Sequence, residues 1–139
     1  MEIIANALQT VPANQNVYFT DTVICGGCSV THRDDSGLVT LRGNTDQCRA
    51  RFRVSFGANI GLPADGTAGP ISLAIAIDGE AVQATTMTVT PTVVEAFFNV
   101  FSAVFIDVPR NCCVTVSVKN ISEVAVDVVN ANLIVERVA

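Results

Sequence analysis

The sequence predicts an all-β fold: an antiparallel jelly-roll sandwich of about eight to ten strands, forming one domain over residues 1–139. Three observations carry this expectation. Half of the 139 residues are hydrophobic and only 15% are charged, which excludes a disordered chain. The apolar residues fall in short runs with a period of two, the spacing that lines one face of a strand. Gly, Pro, Asn and Asp punctuate these runs at the distances expected of strand connections. No apolar run is long enough to cross a bilayer as a helix; the longest, residues 93–108, contains Glu95, Asn99 and Asp107.

Taken along the chain, Val17-Tyr18-Phe19 and Val23-Ile24 are short strand candidates. Asp34-Asp35-Ser36-Gly37 is a turn, and Leu38–Leu41 is a strand between Gly37 and Gly43. Ala50, Phe52, Val54 and Phe56 alternate with Arg49, Arg51, Arg53 and Ser55, a half-buried strand with three arginines on one face. Residues 61–69 form a loop. Ile71, Leu73, Ile75 and Ile77 then alternate with small residues until the turn pair Asp78-Gly79. Thr90–Glu95 fits a helical turn with a capping box. Pro109-Arg110-Asn111 is a turn, Val114, Val116 and Val118 form a strand ending at Asn120, Val124–Val128 continues the pattern, and Asn130–Val138 is a terminal strand.

Residues 97–108 differ from the other strands because both period-two faces are apolar: Phe97, Phe101, Ala103 and Phe105 on one, Phe98, Val100, Val104 and Ile106 on the other. One face of an antiparallel sandwich strand ordinarily meets water. With no helix to cover the second face, a subunit interface is the expected partner. Phe97, Phe98, Val100, Phe101, Val104 and Phe105 are its expected residues, with Ile75 contributing from the strand of residues 71–77. Of the eight basic residues only Lys119 is a lysine, and arginine suits interfacial ion pairs better than lysine does. Arg49, Arg51 and Arg53 are therefore expected as polar interface contacts, meeting carboxylates of a neighbouring strand or subunit. A net charge of −5 disfavours nucleic acid as a partner, and Phe52 and Phe56 alternate away from the arginine face, so that strand offers no stacking platform beside its cations.

Candidate chemistry is sparse. The five cysteines admit three arrangements. They can be small buried thiols at strand ends, or members of a disulfide within or between chains drawn from Cys25, Cys28, Cys48, Cys112 and Cys113. The third is a metal site built on Cys25, Cys28, His32 and Cys48, for which Cys25-Gly26-Gly27-Cys28 supplies half of a zinc pattern. Buried thiols are the leading expectation and no metal or other cofactor is expected. His32 lies near Asp34, Asp35 and Ser36, but a catalytic triad needs groups converging from separate elements, and these fall in one turn. No enzyme activity is expected. Asn120-Ile121-Ser122 has the form of a glycan acceptor, but Met1-Glu2-Ile3-Ile4 has none of the character of a secretory leader, and the tripeptide reads as a turn between strands.

Several segments resemble a known family. Val11-Pro12-Ala13-Asn14-Gln15-Asn16-Val17-Tyr18-Phe19 is similar to the opening of bacterial trimeric jelly rolls. Gly37–Gly43 and Ala50–Phe56 resemble the central strand pair of the tumour-necrosis-factor and complement-type fold, as in the heads of collagen-like spore-surface glycoproteins. The chain as a whole, through Asn130–Arg137, resembles small structural proteins of bacteriophages and prophages of gut clostridia. The resemblance implies a ten-strand jelly roll, a homotrimer and a structural place in the virion, as a capsid decoration or head-fibre protein docked on the major capsid or another virion protein. No Gly-X-Y tract is present, which favours a bare head over a stalked one. Docking is expected through Val11–Phe19 or the terminal strand. The alternatives are a receptor- or glycan-binding head and a bacterial spore or cell-surface coat protein of the same fold. A sugar site would call for loop aromatics, and the chain has one tyrosine and no tryptophan.

Overall fold

The computed structural model describes all 139 residues as twelve strands and one 3₁₀ turn. The strands are β1 (Glu2–Ala5), β2 (Gln9–Val11), β3 (Asp21–Ile24), β4 (Val30–His32), β5 (Val39–Arg42), β6 (Arg49–Gly61), β7 (Ile71–Ile77), β8 (Glu80–Ala81), β9 (Met87–Val89), β10 (Phe97–Pro109), β11 (Cys113–Asn120) and β12 (Val126–Arg137). They form two six-stranded antiparallel sheets. The first runs β10-β6-β12-β1-β3, with β2 also paired to β12; the second runs β4-β5-β11-β7-β8, with β9 also paired to β7. The all-β sandwich is as expected, although with more strands than the eight to ten anticipated. The surplus consists of pieces of two to four residues such as β1, β2, β4, β8 and β9, too short to show a period.

The period-two residues form the core between the sheets. Val54, Phe52, Phe56 and Ile60 of β6 meet Val39 and Leu41 of β5, Leu73 and Ile75 of β7, and Val116 and Val118 of β11, all fully buried. Phe19 packs edge-on against Phe56, with ring centroids 6.4 Å apart. Close packing of this kind makes each core side chain expensive to truncate.

Three local expectations are corrected. Val17-Tyr18-Phe19 is not a strand: Val17 and Phe19 are buried, but the segment joins its neighbours through isolated bridges at Asn16 and Phe19 and through the Gln9 side chain, which pairs with the Tyr18 backbone. Thr90–Glu95 forms bends and a turn instead of a helical turn; Glu95 adopts φ 61 and its N–H donates to the Leu62 carbonyl at 3.1 Å. The one helical turn lies at Gln83–Thr85. Val124–Val128 and Asn130–Val138 are largely one strand, β12, broken in register between Val129 and Asn132, where Asn130 takes φ 55. Asparagine tolerates this left-handed backbone, so the bulge bends the strand without ending it. The turn at Asp78-Gly79 is as expected: φ values of 51 and 88 suit a two-residue hairpin turn joining β7 to β8. No helix is long and apolar enough to cross a membrane.

Candidate functional site: an aromatic face on the first sheet

Strand β10 lies at the edge of the first sheet, paired along its whole length with β6. Its even-numbered residues Val100, Ile106 and Val108 point into the core. Its odd-numbered residues face out, where Phe101 is 67% exposed, Phe105 62% and Phe97 41%. The register sets Phe101 opposite Gly57, Phe97 opposite Gly61 and Ala103 opposite Ser55. The Phe101 ring reaches over Gly57, its Cδ2 lying 3.8 Å from the position a Cβ would take there. Small residues on β6 thus give the Phe97 and Phe101 rings a low floor. Ile134 of β12, 39% exposed and also paired with Ser55, extends the apolar surface across the sheet.

The same face becomes charged at one end. The Arg51 guanidinium donates to both oxygens of Asp107 at 2.7 and 3.0 Å, and Arg49 Nε lies 2.9 Å from the same carboxylate. Arg53 Nη2 lies 2.8 Å from Glu136. Asp107 sits on β10 and Glu136 on β12, so β6 places its three arginines between acidic partners on both flanking strands. The hydrogen bond from Arg51 is the main reason that the Asp107 carboxyl is held below its ordinary value, with the nearby cationic charge adding to it; the same bond raises Arg51. Three like charges in a row are in this way accommodated within one chain. Aromatics do share the arginine face after all, but they come from β10: Phe105 stands opposite Arg53. A single strand's alternation could not reveal that juxtaposition, which depends on pairing partner and register.

The expected interface residues separate into two groups. Phe97, Phe98, Phe101 and Phe105 are exposed and Val104 is half-buried. Val100 is buried, and Ile75 is fully so, in the core between the sheets; neither is available to a partner, because both point to the inner side of their strands. Arg49 and Arg51 already share Asp107, and Arg53 pairs with Glu136, so all three border the aromatic face with carboxylate partners inside the chain, two anions against three cations. Ile134 escaped sequence reasoning because it becomes part of this face only through the β6–β12 pairing.

The other candidates do not converge. Cys25, Cys28, Cys48, Cys112 and Cys113 are all unbridged and exposed, which corrects the expectation of buried thiols. They stand in loops or at a strand end outside the core. Cys25, Cys28, His32 and Cys48 are not gathered into a metal-binding group. His32 is held by local bonds, Nδ1 3.3 Å from Thr22 Oγ1 and Nε2 2.9 Å from the Ser36 carbonyl, while Ser36 Oγ accepts from the Leu38 N–H. The imidazole meets the serine backbone, not its hydroxyl, so no nucleophile is set up. Asn120 is fully buried; its side-chain amide donates to the Val11 and Val124 carbonyls, and its oxygen accepts from Ser122. A glycan could not be attached there without unfolding the joint. At the end of the sandwich where β7 begins and β11 ends, an open cleft of about 430 Å³ is lined by residues that include Thr67, Pro70, Ser72, Ile121 and Glu123, with no aromatic ring among its walls.

No family model matches the chain, and no curated protein does. Solved structures do. The globular domain of zebrafish complement 1qA protein superposes with a TM-score of 0.63 at 11% identity, over 96% of this chain and 93% of that one. Murine APRIL superposes with a TM-score of 0.55 at 10% identity, over 96% and 98% of the two chains. The fold is therefore a jelly roll of the tumour-necrosis-factor and C1q type. A carbohydrate-binding module, CBM35 from Cellvibrio japonicus Abf62, overlays at a TM-score of only 0.39 with 9% identity, too loose a likeness to carry an argument.

Proposed function

We propose that this tumour-necrosis-factor and C1q-type jelly roll is a non-catalytic structural module that assembles as a homotrimer and decorates a bacteriophage particle, as a capsid decoration or head-fibre protein. The observation that carries the assembly is the row of Phe97, Phe101 and Phe105 left open to water on the outer face of the first sheet. Large aromatic side chains left exposed along one sheet face mark contact surfaces. The sheet also has a second apolar margin. Val23 and Ile24 of β3, at the edge opposite β10, are 56% and 57% exposed. Two different apolar patches on opposite edges favour a head-to-tail contact, which makes a ring when its rotation closes, over the like-with-like contact of a dimer. The resemblance to small phage structural proteins supports three copies as the ring and the virion as its place. On a capsid such a ring would act geometrically, covering a local symmetry axis and adding buried area across neighbouring subunits.

Native mass spectrometry tests the assembly. The expected result is a mass of three chains for the wild type and of one chain for Phe101→Glu, with the β-sheet circular-dichroism spectrum retained. A wild-type monomer at micromolar concentration would sink the assembly, and a trimer that survives Phe101→Glu would remove this face from it. The virion assignment has a separate test: the chain is expected in density-purified phage particles from the source cells. Its recovery only from spore coats or the cell envelope would replace the phage role with a coat role.

A further inference from the structure

Five exposed cysteines are an anomaly in a fold with an ample core, since unpaired cysteine is among the most buried of residue types. All of them lie at the same end of the sandwich. Cys25 and Cys28 are in the β3–β4 loop, Cys48 closes the β5–β6 loop, Cys112 closes the β10–β11 turn and Cys113 opens β11. The Arg137 guanidinium joins these loops, donating to the Asn44 carbonyl at 2.8 Å and to Ser29 Oγ at 3.2 Å. Within this end, both limits of the β5–β6 loop are clamped to the β10–β11 turn. The Gly43 N–H donates to the Cys112 carbonyl at 2.9 Å, and the Arg110 N–H donates to the Cys48 carbonyl at 3.0 Å. Arg110 and Cys112 belong to one tight turn, closed by the Cys112 N–H on the Pro109 carbonyl at 3.0 Å. Backbone hydrogen bonds therefore hold Cys48 against Arg110 in the same turn that Cys112 closes. Cys112 and Cys113 are poor partners for each other, because successive side chains entering a strand point to opposite faces.

We propose that this end of the sandwich is a disulfide-forming site, in which Cys48 and Cys112 join into a staple between the two sheets when the protein meets a low-molecular-weight disulfide. One cysteine thiolate attacks the small disulfide and expels one thiolate; the second cysteine attacks the resulting mixed disulfide and expels the other. The two cysteines lose two electrons and two protons, and the small disulfide is reduced to two thiols. Because β6 belongs to the first sheet and β11 to the second, the bond ties the layers together. It also closes a long loop, the case in which a cross-link most restricts the unfolded chain. The staple is internal to one chain and does not depend on trimer formation.

The test incubates the full chain with oxidised glutathione, alkylates free thiols, and digests with trypsin without reduction. The expected product joins Gly43–Arg49 to Asn111–Lys119, persists in Cys113→Ser, and disappears in Cys48→Ser. Oxidation is expected to raise Tm by roughly 5 °C or more in the wild type and to leave Cys48→Ser unmoved. The inference is overturned if all five thiols remain alkylatable, if Cys48 carries only glutathione, or if Cys48 is linked to another cysteine or another chain.

Discussion

Asn120 shows how much a single polar side chain can hold in a sandwich. It joins the end of β11 to the Val11 carbonyl of β2 and to the approach to β12, and it anchors the Ser122 turn. Replacing it with alanine leaves those buried carbonyls without donors. Asn120→Ala is expected to lower unfolding free energy by about 2–4 kcal/mol, read from urea denaturation. Asp107 acts differently because it is on the surface. Its carboxyl is held below its ordinary value of 3.8 in the folded chain by the Arg51 hydrogen bond. A depressed carboxyl contributes stability above its unfolded value and loses it as pH falls through the folded one. The Tm of the wild type is therefore expected to fall more steeply below about pH 4 than that of Asp107→Asn, the two converging in acid. Parallel Tm–pH curves would show that the Arg51–Asp107 pair adds nothing to stability.

At the scale of elements, the crossing of the β5–β6 loop over the β10–β11 turn is set by close backbone approach. A Cβ on Gly43 would collide with the Pro109 carbonyl oxygen, whereas one on Gly69 would meet nothing within 4 Å. Gly43→Ala must push the turn away and is expected to cost about 2 kcal/mol or more, while Gly69→Ala stays within about 0.5 kcal/mol of wild type. Urea midpoints for the two variants would separate these outcomes directly. The contrast between β6 and β10 is also an element property. Both are thirteen-residue strands, but β6 runs between two neighbours while β10 has one. The edge position leaves Phe98 and Val104 partly open even though they share a period-two face with the core residues of β10.

For the whole molecule, the apolar face and the apolar opposite edge bear on stability as well as on assembly. If folded chains associate through them, the native state is favoured by mass action. The wild-type Tm is then expected to rise with protein concentration across the micromolar range, and Phe101→Glu to melt at a concentration-independent temperature. A wild-type Tm that does not move with concentration would show that this face is not buried in the native assembly at those concentrations.

Period-two alternation and turn residues were enough to identify the long strands and the all-β class. This is a local matter: residues two apart share a face whatever the strand is paired with. For the same reason the inward residues of β6 and β11 could be named, as could the hairpin turn at Asp78-Gly79. The short strands β1, β2, β4, β8 and β9 were illegible because two to four residues hold no period, and they form by completing hydrogen-bond ladders begun elsewhere. Which face of β10 opens to water, that Val100 and Ile75 are buried, that Asp107 and Glu136 flank the arginines, and that Ile134 joins the aromatic face all depend on strand order and register. So does the gathering of Cys25, Cys28, Cys48, Cys112 and Cys113 at one end. Alternation in the sequence determined which side chains share a face of each long strand; only the pairing of distant strands decided which faces meet and what they leave exposed.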